Sequence, residues 1–215
     1  DLDGDNDLDL LVGEPDGTLR YWEQQRGAGL VERIGGALNP FHGIDVGSPS
    51  HPFVVDLDGD GDLDLLLGEN VGNLQYWEQH GDENILVERI GPGVNPLNDI
   101  QASAHLFPFF VDWDNDGDLD LLLGQQTGRL HYWEQHEGGF VRRYVEPFCC
   151  SKDSIDVGTA SVPFVVDWDR DRDLDLLVGG YDGKLRYWEH QDGGGFVERI
   201  GASLNPFNGI DVGAA

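Results

Sequence analysis

The chain has 215 residues and is strongly acidic: 41 Asp and Glu against 13 Lys and Arg give a formal charge of 13 − 41 = −28. A surface of that sign repels phosphate backbones and anionic headgroups, which excludes nucleic-acid binding and electrostatic attachment to membranes. No apolar run approaches the roughly 20 residues that cross a bilayer, so no membrane insertion is expected, and 31 glycines beside short apolar runs call for many tight turns and an all-β fold.

The sequence opens on Asp1-Leu2-Asp3-Gly4-Asp5-Asn6-Asp7-Leu8-Asp9, with an aspartate at every odd position. The same nine-residue pattern returns from Asp56, Asp112 and Asp167, so the copies are spaced by 55, 56 and 55 residues. A fixed period of this length marks a propeller, a solenoid or a related array. One continuous array is therefore expected over 1–215, with repeats at 1–55, 56–111, 112–166 and 167–215.

The second copy displays the anatomy of one repeat. Pro52-Phe53-Val54-Val55 reads as a short first strand leading into the loop. Leu63 to Gly68 is a near-continuous apolar run and suits a second strand buried on both faces. Glu69-Asn70-Val71-Gly72 forms a hairpin turn, with Gly72 free to take positive φ. Asn73 to Glu78 alternates as a third strand, and Ile85 to Ile90 is a more polar fourth strand at the outer edge. A linker with Asn95-Pro96 then runs from Gly91 to Leu106.

The other copies repeat the turn glycine (Gly17, Gly128, Gly183) and the third-strand triplet (Tyr21-Trp22-Glu23, Tyr132-Trp133-Glu134, Tyr187-Trp188-Glu189). The linker recurs as Asn39-Pro40-Phe41 and Asn205-Pro206-Phe207, and departs from that form at Pro147-Phe148-Cys149-Cys150-Ser151. Four short antiparallel strands, repeated, make a propeller-type blade, which needs neighbours to cover its faces.

The first copy begins at its loop, and the last ends in phase with the residues that precede a first strand. A cropped chain, a longer propeller, or a strand lent by a neighbouring subunit would each account for this. The absence of Met reads as a processed product or a segment, and no signal peptide is expected. The adjacent Cys149 and Cys150 leave three states open: a strained vicinal disulfide, two free thiols, or bonds to another chain. They do not make a zinc site, because no second ligand pair accompanies them.

The loops carry the chemistry. Carboxylates this dense repel one another unless a cation sits among them, and hard oxygen donors around a tight turn point to calcium. The turn needs a residue tolerant of positive φ at position six, where Asn6, Gly61 and Gly117 stand. Asp-x-Asp-x-Asp-Gly-Asp-x-Asp followed by Leu-Leu-Leu-Gly resembles the FG-GAP/VCBS repeat, the calcium-binding blade of integrin-α-type β-propellers. The resemblance covers essentially the whole chain. It implies ligation by side chains at positions one, three, five and nine and by the backbone carbonyl at position seven. On this chain those are Asp1, Asp3, Asp5 and Asp9 with the carbonyl of Asp7, and Asp56, Asp58, Asp60 and Asp64 with that of Asp62. The later copies supply Asp112, Asp114, Asp116 and Asp120 with Asp118, and Asp167, Asp169, Asp171 and Asp175 with Asp173.

Up to four Ca²⁺ ions are thus expected, which would leave a net charge of about −20. The fourth loop should bind most weakly, because Arg170 and Arg172 repel an ion and an arginine at position six strains the turn by roughly 1 kcal/mol. Arg–Asp pairing is the alternative occupant of that loop.

No Ser-His-Asp or Cys-His arrangement stands out, and the seven histidines form no metal or catalytic cluster and read as surface residues. No catalytic residue is expected, and the chain does not read as an enzyme. The Tyr-Trp-Glu rings, with Trp113 and Trp168, read as packing between blades; a carbohydrate platform is the alternative use of the triplets. The resemblance implies a calcium-stabilised, secreted or cell-surface module for adhesion or assembly, with a protein partner or itself. A carbohydrate-binding lectin is the second expectation, and a non-catalytic segment of a polysaccharide-degrading enzyme the third.

Overall fold

The structure is a computed structural model that describes residues 1–80, 85–102, 104–136, 138–145, 147–148, 155–191 and 195–213. Its regular elements are fifteen strands in four antiparallel sheets, with no helix among the described residues. The chain divides into two compact units, Asp1–Ile100 and Gln101–Ala215. Cys149 and Cys150 lie outside the described residues.

The first unit holds two sheets. β1 (Leu10–Gly13), β2 (Leu19–Gln25) and β3 (Gly29–Arg33) form a three-stranded meander. β4 (Ser50–Val55), β5 (Asp64–Glu69), β6 (Leu74–His80) and β7 (Ile85–Arg89) form a four-stranded one. The second unit repeats the four-stranded meander twice. One consists of β8 (Phe107–Val111), β9 (Asp120–Gly124), β10 (Leu130–His136) and β11 (Gly139–Arg143). The other consists of β12 (Val162–Val166), β13 (Asp175–Gly179), β14 (Leu185–Gln191) and β15 (Gly195–Glu198). Each sheet is a propeller-type blade, as the repeat pattern predicts.

The strands follow their residues closely. Leu65, Leu66 and Leu67 of β5 are fully buried, as a strand covered on both faces requires. The second strand starts at Asp64 rather than Leu63, because Asp64 still closes the loop by accepting the Leu57 N–H. The fourth strand ends at Arg89, where Gly91 begins a turn by accepting hydrogen bonds from the N–H groups of Val94 and Asn95. Strands β3, β7, β11 and β15 lie at the sheet edges, as expected of the more polar fourth strand. The hairpin glycines Gly17, Gly72, Gly128 and Gly183 take φ of 96°, 94°, 80° and 76°, which suits the turn chemistry read from the sequence.

Each linker folds back onto its own blade. The buried Asn39 and Asn95 accept, at Oδ1, the N–H of Phe41 (2.9 Å) and Leu97 (2.8 Å). The linker ring then meets the third-strand tyrosine, with centroids 5.7 Å apart for Tyr21–Phe41 and 5.6 Å for Tyr132–Phe148. In the first unit Leu19, Tyr21 and Phe41 share a core with Leu65, Leu67 and Trp77 of the next blade. In the second unit Leu130, Tyr132, Phe148, Ile155 and Val157 do the same with Leu176, Val178 and Trp188. Blades therefore cohere by apolar burial between sheets. Leu176→Ala, at a fully buried position, is expected to lower stability by about 2–5 kcal/mol, read from a urea titration of the second unit's transition.

The triplet rings are core residues except Trp22, which is only partly buried and lies under the Arg20 guanidinium. Tyr21, Tyr76, Tyr132 and Tyr187 are all buried, as are Trp77, Trp133 and Trp188. Trp113 stacks on Phe196 at 5.2 Å, while Trp168 is about half exposed but still meets Phe207 at 4.6 Å.

Candidate metal centres

Each aspartate loop joins the first and second strand of its sheet, or precedes β1 in the first repeat. The loops share one hydrogen-bond scheme. The position-three carboxylate accepts the N–H of position five at 3.1–3.2 Å, in Asp3, Asp58, Asp114 and Asp169. The position-five carboxylate accepts the N–H of position seven at 2.8–2.9 Å, in Asp5, Asp60, Asp116 and Asp171. Oδ2 of position one accepts the N–H of position six at 3.0–3.2 Å, in Asp1, Asp56, Asp112 and Asp167. These local turns coil the odd-numbered side chains toward one point.

As a result, carboxylate oxygens of Asp1, Asp3 and Asp5 lie within 4.8 Å of one another, as do those of Asp56, Asp58 and Asp60, and of Asp112, Asp114 and Asp116. In the fourth loop the converging set is Asp167, Asp169 and Asp175. Among the described residues no Lys or Arg pairs with an aspartate at position one, three or five; Arg26 reaches only Asp7, at 3.7 Å. The carboxyls of Asp3, Asp58, Asp114 and Asp169 are held above the usual aspartate range by lost hydration first, with neighbouring carboxylates adding to it. Oδ1 of Asp167 is buried without a hydrogen-bond partner, where its counterparts Asp1 and Asp56 accept the N–H of Gly4 and Gly59. Clustered hard oxygens without counter-charge, one of them orphaned, fit a divalent cation with oxygen preference.

Position nine plays a different part. Asp64, Asp120 and Asp175 are only 1% exposed. Asp64 accepts three hydrogen bonds: Leu57 N–H at 3.1 Å, Gln79 N–H at 2.9 Å and the Tyr76 hydroxyl at 2.9 Å. Asp120 takes the same three from Trp113, Gln135 and Tyr132, and Asp175 from Trp168, His190 and Tyr187. Burial raises the pKa of Asp64 and Asp120, and burial beside the carboxylate holds the tyrosine hydroxyls above their usual range, so they remain donors. The expected position-seven contribution was a carbonyl. Two of the side chains there lie near a basic group, Asp7 beside Arg26 and Asp173 beside His190, each at 3.7 Å.

Three features went unread in the sequence. Positive φ is needed at position four as well as six: Gly4, Gly59, Asn115 and Arg170 take 81°, 78°, 61° and 68°. The fourth loop therefore holds two arginines in this region, Arg172 at 82° as well, each strained by about 1–2 kcal/mol. Among the described residues neither arginine forms an ion pair, so Arg–Asp pairing does not fill that loop. Second, the triplet glutamate is clamped by a fourth-strand arginine. Arg33, Arg89, Arg143 and Arg199 donate Nε to Glu23, Glu78, Glu134 and Glu189 at 2.7–2.9 Å, with Nη2 on the other oxygen. These forks hold the glutamates below their usual range. An arginine nine to eleven residues after each triplet glutamate was the available signal. Third, the tyrosine–aspartate bond spans 12 residues, and only the recurrence of both partners hinted at it. His131 also departs from a surface role: burial pushes its pKa to about 4, and Nδ1 lies 2.5 Å from Gln125 Nε2.

Antiparallel meanders, one of three strands and three of four, each with an aspartate loop leading into the strand that precedes its hairpin, define a β-propeller-type repeat protein. The sequence model of the FG-GAP-like repeat matches residues 1–67 and 56–123, each match starting on the first aspartate of a loop. These matches cover more than half of the 215 residues, and the protein belongs to the FG-GAP-like repeat family. No curated protein matches the chain. Repeats of this family typically form non-catalytic, extracellular modules of protein–protein interaction. No helix among the described residues is long and apolar enough to cross a membrane.

Proposed function

We propose that this protein is a calcium-stabilised extracellular structural and adhesion module that binds a protein partner or further copies of itself. The observation that carries the reading is the convergence of three carboxylates within 4.8 Å in all four loops, with no paired Lys or Arg among the described residues. Extracellular calcium is abundant enough to fill even modest sites of this kind. When bound, the ion supplies the positive charge that lets each loop close. Asp1, Asp3, Asp5 and Asp9 would hold it in the first repeat, and their counterparts in the others. The burial of seven of the eight Tyr-Trp rings, all but Trp22, speaks against a sugar platform on the triplets.

Calorimetric titration of the decalcified chain with Ca²⁺ tests this. Binding at up to four sites is expected, with the loop at Asp167–Asp175 weakest. The double change Arg170→Gly and Arg172→Gly relieves two strained residues and removes two like charges, and should tighten that weakest step by about 10-fold or more. A wild-type chain that takes up no calcium would overturn the proposal.

A further inference from the structure

We infer that the tyrosine of the second, third and fourth Tyr-Trp-Glu triplets, Tyr76, Tyr132 and Tyr187, is a positioning residue for the cation loop, aiming the position-nine carboxylate from the neighbouring strand. The Tyr21 hydroxyl of the first repeat makes no such hydrogen bond. The inference rests on the calcium reading and goes beyond it, because the tyrosine is no ligand. A carboxylate offers about four acceptor sites. In Asp64 three are taken: Oδ1 by Gln79 N–H, and Oδ2 by both Leu57 N–H and the Tyr76 hydroxyl. Two of these donors are backbone and follow from the fold, whereas the hydroxyl is the one that a side chain contributes. Together they fix the carboxylate plane and leave one acceptor direction open.

The fourth loop brings its anchored position-nine carboxylate into the cluster. Asp175 keeps all three hydrogen bonds, at 3.0 Å from Trp168 N–H and 3.1 Å from both Tyr187 Oη and His190 N–H. An oxygen of the same carboxylate still lies within 4.8 Å of those of Asp167 and Asp169. The anchored orientation is therefore compatible with joining the cluster.

The tyrosine also touches the linker. Tyr132 and Tyr187 meet Phe148 and Phe207 at 5.6 and 6.0 Å. A continuous contact path runs from linker ring to tyrosine, to position-nine carboxylate, to loop. Seating the linker on its blade and filling the loop thus draw on the same side chain, and each should favour the other.

Tyr76→Phe keeps the ring and deletes only the hydroxyl. In the full chain, one calcium-binding step should weaken by about 10- to 100-fold while the others hold, and the rise in melting temperature on adding calcium should shrink. Tyr144→Phe, at an exposed tyrosine, should leave both unchanged. Tyr187→Phe repeats the test in the second unit should Tyr76→Phe fail to fold. An unaltered isotherm, or equal losses of melting temperature in calcium and in chelator, would overturn the positioning role while leaving the calcium reading in place. Absence of calcium uptake by the wild type would instead overturn the calcium reading.

Discussion

Chelation of divalent cations at neutral pH is expected to lower the melting temperature of this protein by about 20 °C or more. Each compact unit contains two loops, those opening at Asp1 and Asp56 and those opening at Asp112 and Asp167. An ion present at 100 times its dissociation constant stabilises a site by about 2.7 kcal/mol, so two ions contribute about 5 kcal/mol to a unit. One kcal/mol moves the midpoint of a domain of 60–100 residues by about 4–8 °C. Without the ions, the converging carboxylates repel each other at the short separations described above. Differential scanning calorimetry in calcium and in chelator reads the difference. Indifference of the midpoint to chelation would refute the role given to the loops.

The pH dependence should reverse between the two conditions. The raised carboxyls of Asp3, Asp58, Asp114 and Asp169 favour the ion-free fold fully below the ordinary value of 3.8, and that contribution is lost as pH rises through their raised values. The arginine-clamped Glu23, Glu78, Glu134 and Glu189 act oppositely: their contribution is present above the ordinary value of 4.5 and lost as pH falls through their lowered values. In chelator, acidification from neutrality should therefore raise the melting temperature until the glutamate clamps begin to protonate. In calcium it should fall, because ion binding requires ionised carboxylates.

The second large effect is expected from Gly124→Ala, which should destabilise the second unit by about 3 kcal/mol or more. A Cβ at this position would lie 1.9 Å from the Ser161 carbonyl oxygen and 2.8 Å from Pro163 Cδ. Neither atom belongs to a flexible side-chain end. Ser161 is fully buried, and its Oγ accepts the Gln125 N–H and donates to the Arg129 carbonyl, each at 2.9 Å, so the backbone there is held from both sides. At this point the two blades meet as glycine against backbone. Gly179 ends β13 as Gly124 ends β9, yet a Cβ there would meet only ordinary contacts at 3.8 Å and beyond. Gly179→Ala should accordingly change stability by less than about 1 kcal/mol. Equal losses for the two variants in urea titrations would contradict this account of blade contact.

Much of this architecture could be read beforehand, and the reason is locality. The aspartate spacing, the hairpin glycines and the apolar second strands are patterns within a dozen residues, and turn and strand chemistry act at that range. Second-strand Leu65 to Leu67 and turn residue Gly72 needed no tertiary knowledge. Position four of the loop was missed because Gly4 and Gly59 look like ordinary spacers, and only Arg170 at 68° exposes the demand placed on that residue. The Glu–Arg forks were missed because their partners stand on different strands, joined only by register: Arg89 faces Tyr76, which places it diagonally from Glu78.

By itself, the sequence determined the repeat, the meander of each blade and the places where carboxylates gather, since each follows from residues adjacent along the chain. Tertiary structure alone decided that Asp64 turns inward to the Tyr76 hydroxyl and that Gly124 lies against Ser161 rather than ending a strand in open space. It also decided that the fourth loop gathers Asp175 in place of Asp171. Such choices depend on groups brought together by packing across strands and blades, where burial removes water and leaves each polar atom to find its partner in the protein.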